Sequence, residues 1–480
     1  MSDSVADPEL AVPVADDLGR VHFIGIGGAG MSGIARIMLA RGVPVSGCDA
    51  KDSRALASLL ARGADVVVGH DGAHAEQVDT VVVSSAIRDD NLELTRARTL
   101  GRRILPRAAA LASVMAGKRG VAIAGTHGKT TTTSMLTVAV QACGGDPSYA
   151  IGGDLNEPGS NAHSGTGELF IAEADESDRS FLLLAPVAAV VTNIEADHLD
   201  NYGDPEAVAG AFREFVHRLP ADGCLVVGAD DEGARALVAP AVERGVRVTS
   251  FGVAADADVR VHDLVLEAGG SRFEIVAGGR RLGEVSLRVP GDYNAVNAAG
   301  AIAVGLQLGL PFADMARGLA EFTGARRRFE LKGAAGGVRV YDDYAHHPTE
   351  LRAVLTAARP VAEPGRLVVV FQPHLYSRTE LFAAEFADAL ALADVAVVMD
   401  VYAAREDPLP GVTGALIADA VPLPPERVLY APSWAAVPDL VADIVRPGDL
   451  VLTIGAGDIT MLGPEVLGLL SESETVGGGG

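Results

Sequence analysis

Gly125-Thr126-His127-Gly128-Lys129-Thr130-Thr131 follows an apolar run, Val121-Ala122-Ile123-Ala124, and precedes a helical pattern carrying Met135, Leu136 and Val140. Strand, tight glycine-bearing turn and helix, in that order, are the context of a phosphate-binding loop. Glycines at 125 and 128 let backbone N–H groups converge on an anion, and the helix N-terminus adds its partial positive charge. Lys129 then reaches the terminal phosphates of a nucleotide, while the hydroxyl of Thr130 holds a magnesium ion. The expected ATP contacts here are Gly125, Thr126, His127, Gly128, Lys129, Thr130 and Thr131. The widespread spacing G-x-x-x-x-G-K-[ST] would place glycine at 123, where this chain has Ile123; the loop is the shorter G-T-H-G-K-T.

Outward from the loop, two apolar strands end in carboxylates. Leu169-Phe170-Ile171-Ala172 runs into Glu173-Ala174-Asp175-Glu176-Ser177-Asp178, and Ala188 to Thr192 runs into Asn193-Ile194-Glu195-Ala196-Asp197-His198-Leu199-Asp200. The carboxyl end of a strand beside a phosphate loop is where magnesium is held in such sheets. Lone acidic clusters are commonly solvated turns, but two that each end an apolar strand after a phosphate loop point to a metal. Gly252 to Val289 reads as antiparallel strands. Asn294 and Asn297, at i and i+3 of the following helix, share a face that can meet an adenine edge.

Upstream, Val21-His22-Phe23-Ile24 and Gly25-Ile26-Gly27-Gly28-Ala29-Gly30 fit G-x-G-x-x-G between a strand and a helix, with Asp49 after the next strand. That turn binds a pyrophosphate. A dinucleotide of an oxidoreductase and the diphosphate of a UDP-sugar satisfy it equally, but hydride chemistry leaves the phosphate loop and both carboxylate clusters unexplained. A UDP-sugar sensor without catalysis is a further alternative. Downstream, strands at Val338 to Asp342, Leu367 to Phe371, Val395 to Met399 and Leu450 to Ile454 alternate with helices at Glu350 to Ala358 and Glu380 to Leu392. The fold class is therefore α/β in three domains: N-terminal Rossmann-like, a central mixed sheet of the P-loop ATPase type, and a C-terminal Rossmann-like domain. The expected bounds are 18–112, 113–325 and 326–470, with disordered ends at 1–17 and 471–480.

Composition narrows the classes of partner. The chain has 480 residues, 49% of them hydrophobic, a net charge of -24 and a pI near 4.8. An acidic surface excludes nucleic acid and anionic membranes as partners. Cys48, Cys143 and Cys224 lack C-x-x-C pairing and read as buried thiols of a reducing compartment. The acidic start has no signal-peptide pattern and no apolar run reaches 18 residues, so the expected location is cytoplasmic.

H-F-I-G-I-G-G-A-G-M-S, G-T-H-G-K-T-T-T-T-S, E-A-D-E-S-D, N-I-E-A-D-H-L-D, D-D-Y-A-H-H-P-T-E and F-Q-P-H-L-Y-S-R-T occur in that order along the chain. Together they resemble the Mur ligases, the amino-acid-adding enzymes of bacterial peptidoglycan synthesis, over roughly Arg20 to Gly463. The resemblance implies ATP- and Mg2+-dependent joining of L-alanine to UDP-N-acetylmuramate; the sequence leaves monomer and homodimer both open. It places Gly25, Gly27, Gly28, Gly30, Met31, Ser32, Asp49, His70, Ser84 and Ser85 on the UDP-sugar. Glu173 and His198 join Thr130 on the metals, with Lys129, Glu173 and His198 as the catalytic set. Asn294, Asn297 and Arg328 go to ATP, although Tyr293 stands where relatives often carry histidine. Tyr344, His346, His374 and Arg378 form the alanine site, with Arg378 on the carboxylate and His346 near the amine. Some relatives carry arginine at the position of Leu375, so that contact is not implied. Several sister ligases use a carbamylated lysine, which the lysine-free stretch between Lys129 and Lys332 excludes here. The alternative within the family is a murein peptide ligase that attaches a recycled tripeptide to the same sugar nucleotide.

Overall fold

The computed structural model describes residues 12–84, 86–153, 155, 161–267, 269–404 and 406–477. By contacts the chain divides into two compact units, Met1–Asp263 with Phe273–Ser286 and Ala295–Phe322, and Leu264–Arg272 with Leu287–Asn294 and Thr323–Gly480. Among the described residues no helix is long and apolar enough to cross a membrane.

The first sheet has five strands in the order Asp65–Val68, Val45–Asp49, Val21–Ile24, Thr80–Val83 and Arg103–Pro106. All four pairings are parallel, with Val21 opposite both Val45 and Thr80. The central strand Val-His-Phe-Ile is buried throughout, as a parallel strand covered on both faces must be. Strand order reverses around it, so the turn at Gly25 lies at the switch point where such sheets bind ligands.

In the ten-stranded second sheet, Arg119–Ala124 lies between Ala188–Val191 and Leu169–Glu173, parallel to both. The register sets Ala124 opposite Val191 and Ile123 opposite Glu173, bringing the phosphate loop and both acidic strand ends to one edge. Gly278 and Gly279, both at positive φ, make the two-residue link between the strands Gly270–Ala277 and Arg280–Leu287, which fits the expected antiparallel strands there.

The third sheet is ordered Glu330–Ala335, Val338–Asp343, Leu450–Ile454, Leu367–Phe371, Val395–Met399 and Val428–Ala431, the first pairing antiparallel and the rest parallel. Leu351, Leu355 and Phe386 pack on one face, and Val437, Val441 and Leu462 on the other. The helix Pro348–Ala362 opens with proline in its first turn and a capping box between His347 and Glu350.

Both chain ends differ from expectation. Within the expected disordered segment 1–17, Ala15–Leu18 forms a short 3-10 helix with Ala15 and Leu18 buried, and the Thr80 hydroxyl donates to Leu18 O at 2.8 Å; residues 1–11 lie outside the described residues. Within 471–480, the helix Leu462–Gly477 continues past Ser471, whose hydroxyl donates to Leu467 O, and residues 478–480 are outside the described set. In each case an apolar anchor, Leu18 or Leu470, binds the polar segment beside it to a core.

Candidate active site

The phosphate loop is built by close approach. Gly125 has φ 132° and Gly128 φ 83°, and a Cβ at Gly128 would stand 2.5 Å from Asn297 Oδ1. The end of the neighbouring strand clasps the loop: Thr126 N donates to Asn193 O at 3.0 Å, His127 N to Asn193 Oδ1 at 2.8 Å, and the Thr192 hydroxyl to His127 O at 2.6 Å. No side chain caps the helix Lys129–Ala142, which leaves its first amides facing the loop.

Lys129 Nζ donates to Gly125 O at 2.6 Å and Thr126 O at 3.1 Å, and pairs with Glu176 Oε2 at 2.8 Å. Burial works to lower its pKa, but Glu176, Asp175 and Glu173 outweigh that and hold the ammonium charged. The Thr130 hydroxyl donates to Glu173 Oε1 at 2.9 Å, and Glu173 Oε2 accepts from Gly152 N at 2.7 Å. These hard oxygens fit Mg2+. His198 Nε2 lies 3.7 Å from Glu176 Oε1 and 3.6 Å from Asp197 Oδ2, on a backbone at φ 55°. Thr130 and Glu173 touch, and His198 lies beside Glu176, the carboxylate that pairs with Lys129. Asn297 meets the loop, whereas the Asn294 amide donates to Pro290 O at 2.7 Å.

At the first sheet, Gly25 N and Ile26 N donate to Cys48 O, and Gly27 N donates to Asp49 Oδ2 at 2.9 Å, so Asp49 fixes the turn itself. The side chains of Met31 and Ser32 are buried, and the Ser32 hydroxyl donates to Ala29 O at 3.1 Å. His70 Nδ1 points inward, 3.2 Å from Cys48 Sγ, and Ser84 Oγ accepts from Ala86 N. Ser85 lies outside the described residues. A Cβ at Gly30 would come within 2.8 Å of Arg107 Nη1, and Arg107 Nη2 donates to Asp175 Oδ2 at 2.7 Å.

In the second unit, aromatic rings line the third sheet's strand ends. Tyr344 and His346 meet edge-on at 5.3 Å, His346 and His374 at 5.9 Å, and His374 stacks on Tyr402 at 5.8 Å. Arg378 is buried in the helix Tyr376–Leu390, and the Arg328 guanidinium lies 5.3 Å from the Tyr344 ring centroid. Burial pushes Asp343 up to about 6, tempered by Arg328 and by the amides of Ala345 and Phe329. Burial and Asp343 also raise the Tyr293 hydroxyl.

Three family models match in sequence: the Mur ligase family catalytic domain over residues 20–119, the Mur ligase middle domain over 123–305, and the Mur ligase glutamate ligase domain over 327–457. The chain belongs to the Mur ligase family. It is 61% identical over 454 residues to a UDP-N-acetylmuramate--L-alanine ligase of Acidothermus cellulolyticus, covering 94% of this chain and 95% of that protein. A protein of the same name from Saccharopolyspora erythraea is 58% identical, with 96% and 95% covered. Among solved structures, a UDP-N-acetylmuramate-alanine ligase of Thermotoga maritima superposes with TM-score 0.80 at 29% identity, covering 95% of this chain and 99% of that one. A murein peptide ligase of Psychrobacter arcticus shares the fold at TM-score 0.70 and 24% identity, covering 94% and 99%.

Within this Mur ligase, sequence reasoning missed Asn193, Glu176, Arg107 and Tyr402. Glu176 and Asn193 stood inside the two acidic motifs, so their position at strand ends was a usable signal. Arg107 offered only its place at the start of the helix Arg107–Met115, and Tyr402 offered none.

Proposed function

We propose that this chain joins L-alanine to the lactyl carboxylate of UDP-N-acetylmuramate, with ATP converted to ADP and phosphate, in cytoplasmic peptidoglycan precursor synthesis. The observation that carries this reading is the identity of 61% across 94% of the chain to a ligase of that name. The three bodies at 18–112, 113–325 and 326–470 take the sugar nucleotide, ATP and alanine in turn.

The carboxylate attacks the γ-phosphorus of ATP and ADP leaves; the acyl phosphate so formed is attacked by the alanine amine, and phosphate departs from a tetrahedral intermediate. Lys129 exchanges its Glu176 and loop-carbonyl partners for the terminal phosphates. The loop amides and the uncapped helix start hold the anion. Thr130 and Glu173 would hold Mg2+, which supplies charge neutralisation at the transferring phosphoryl group. His198, 3.7 Å from the Glu176 carboxylate that pairs with Lys129, would join Thr130 and Glu173 on the metal. Arg107, set between Gly30 and Asp175, suits an anionic group of the sugar nucleotide. Arg378 takes the alanine carboxylate, and His346, whose Nδ1 lies 3.1 Å from Tyr344 O, receives the amine proton.

The test is phosphate release by the purified protein with Mg2+, ATP and UDP-N-acetylmuramate, with and without L-alanine. Release that requires both acceptor and alanine is expected. Release with the tripeptide and none with alanine would move the chain to the murein peptide ligase reading, and release with neither would overturn both.

A further inference from the structure

A cluster unused by the ligase chemistry lies inside the first sheet. His22 on the strand Val21–Ile24, Cys48 near the end of Val45–Asp49, His74 on the short helix Gly72–Ala75 and Glu93 at the start of Leu92–Thr99 bring one nitrogen, sulfur or oxygen each to within 4.8 Å of one another. Glu93 is fully buried, a position where carboxylates are rare unless paired or metal-bound. It gathers three of the contacts: Cys48 Sγ at 2.7 Å, His74 Nδ1 at 2.6 Å and His22 Nε2 at 3.6 Å. Ile24, Ala75, Val81, Leu94 and Ala97 pack around the cluster, and His70 Nδ1 stands at its edge, 3.2 Å from Cys48 Sγ and 3.4 Å from Glu93 Oε2.

The orientation of His22 is the second observation. It is 2% exposed, its Nδ1 lies 2.9 Å from Ser46 Oγ, and its Nε2 is buried with no hydrogen bond. Ser46 Oγ in turn lies 3.5 Å from Val21 O, so the outer nitrogen is held from behind and the inner one is aimed at the cluster. That is how a metal-binding imidazole is fixed, by an outer partner on the nitrogen that does not face the ion.

We propose that His22, Cys48, His74 and Glu93 bind one zinc ion. Two imidazoles, a thiolate and a carboxylate make a four-ligand set of borderline softness, which suits tetrahedral Zn2+ and disfavours Mg2+ and Ca2+. Ligand atoms around tetrahedral zinc lie about 3.3–3.8 Å apart, given bond lengths of ~2.0 Å to nitrogen and ~2.3 Å to sulfur. The cluster therefore needs the Cys48–Glu93 and His74–Glu93 contacts to open slightly and the widest pair to close. Binding releases the Cys48 thiol proton to solvent as the Zn–S bond forms. His74 is partly exposed and gives the ion a route in. The Cys48 carbonyl accepts from Gly25 N and Ile26 N, so the ion would brace the Gly-rich turn from behind, in a structural role separate from the magnesium chemistry.

Metal-free full-length protein titrated with Co2+ as a spectroscopic stand-in should show a thiolate-to-cobalt charge-transfer band saturating at one equivalent, reversed by Zn2+ and unaffected by excess Mg2+. Cys48→Ser should abolish the band, and His74→Ala, at a partly exposed position, should weaken Co2+ affinity by about a hundredfold while keeping the near-UV circular dichroism of the fold. Cys143→Ser and Cys224→Ser should keep the band. One equivalent of Zn2+ should also raise the melting temperature of wild type and not of His74→Ala. Absence of the band and of the melting shift in wild type overturns the proposal, as does a band that persists in Cys48→Ser.

Discussion

The phosphate loop and the third sheet's ligand end both need backbone outside the ordinary regions, and they obtain it differently. In the loop the positive φ angles belong to glycine, Gly125 at 132° and Gly128 at 83°. Around the aromatic pocket they belong to Arg327 at 57°, Phe329 at 50°, Leu375 at 70° and Ala404 at 49°. Glycine adopts such angles without steric penalty, whereas a side chain there costs about 1–3 kcal/mol that the surroundings must offset. The surroundings are visible: Leu375 N donates to Tyr402 O at 3.0 Å, Tyr402 N to Pro373 O at 2.8 Å, and Phe329 N to Asp343 Oδ2 at 2.7 Å. One region carries its shape in its residue types; the other has it imposed by neighbours.

The largest break in this comparison comes from Lys129→Ala. It leaves the glycine-built shape intact and removes the charge that the shape presents, so alanine-dependent phosphate release should fall about a thousandfold. The circular dichroism of the fold should persist while melting falls, because the buried Glu176 loses its ammonium partner; activity within tenfold of wild type would remove Lys129 from the chemistry. Gly125→Ala attacks the shape itself. A Cβ there would overlap the Thr192 hydroxyl and approach Thr192 N to 2.9 Å, at a φ that alanine resists. Thr192 cannot retreat cheaply, because its hydroxyl holds His127 O. Strain and overpacking together should cost roughly 4 kcal/mol, read as a shift in the urea midpoint.

The same contrast explains what could be read in advance. Buried parallel strands announce themselves as runs such as Leu367-Val-Val-Val-Phe371, and a glycine turn between strand and helix has a local signature, so the three sheets and the loop were legible. Contacts made by folding were not. Lys129 and Glu176 are 47 residues apart and Arg107 and Asp175 68 apart, and no local pattern marks such pairs. His70 is placed on the UDP-sugar by resemblance alone, and nothing in the chain indicates that Cys48 and Glu93 meet it. Met31 and Ser32 fell inside a recognisable motif, but that Met31 joins the core and that the Ser32 hydroxyl bonds back to Ala29 O emerges only in the fold.

Charge separates the regions as backbone does. Near the loop, burial works to raise Asp175, but Arg107 and Lys129 outweigh it and hold the carboxyl well below its usual range. In the second unit burial prevails over Arg328, and Asp343 sits at about 6 against an ordinary 3.8. A raised carboxyl pKa makes the folded state bind the proton more tightly than the unfolded one, so its contribution to stability is favourable below about pH 4 and is lost as pH rises to about 6. The stability of wild type relative to Asp343→Asn should therefore fall by about 3 kcal/mol across that window and stay level above it. Denaturation of the two proteins at matched pH gives the difference directly, and a difference that rises with pH would reverse the assignment.

The smallest effect is the most direct comparison of the two regions, because it exchanges the same two residue types in the opposite sense. Ala404 stands two residues beyond Tyr402, at φ 49° and with its side chain exposed, so replacing it by glycine removes no buried contact. The left-handed conformation costs an L-residue roughly 1–2 kcal/mol, and glycine gives back about 0.5–1 kcal/mol through its greater freedom in the unfolded chain. Ala404→Gly should therefore stabilise the protein by about 0.5–1 kcal/mol, seen as a higher urea midpoint at unchanged slope, where Gly125→Ala lowers it. If Ala404→Gly instead destabilises, the strand-end backbone there is not strained, and the contrast between a glycine-built and a neighbour-imposed site holds only for Leu375, Arg327 and Phe329.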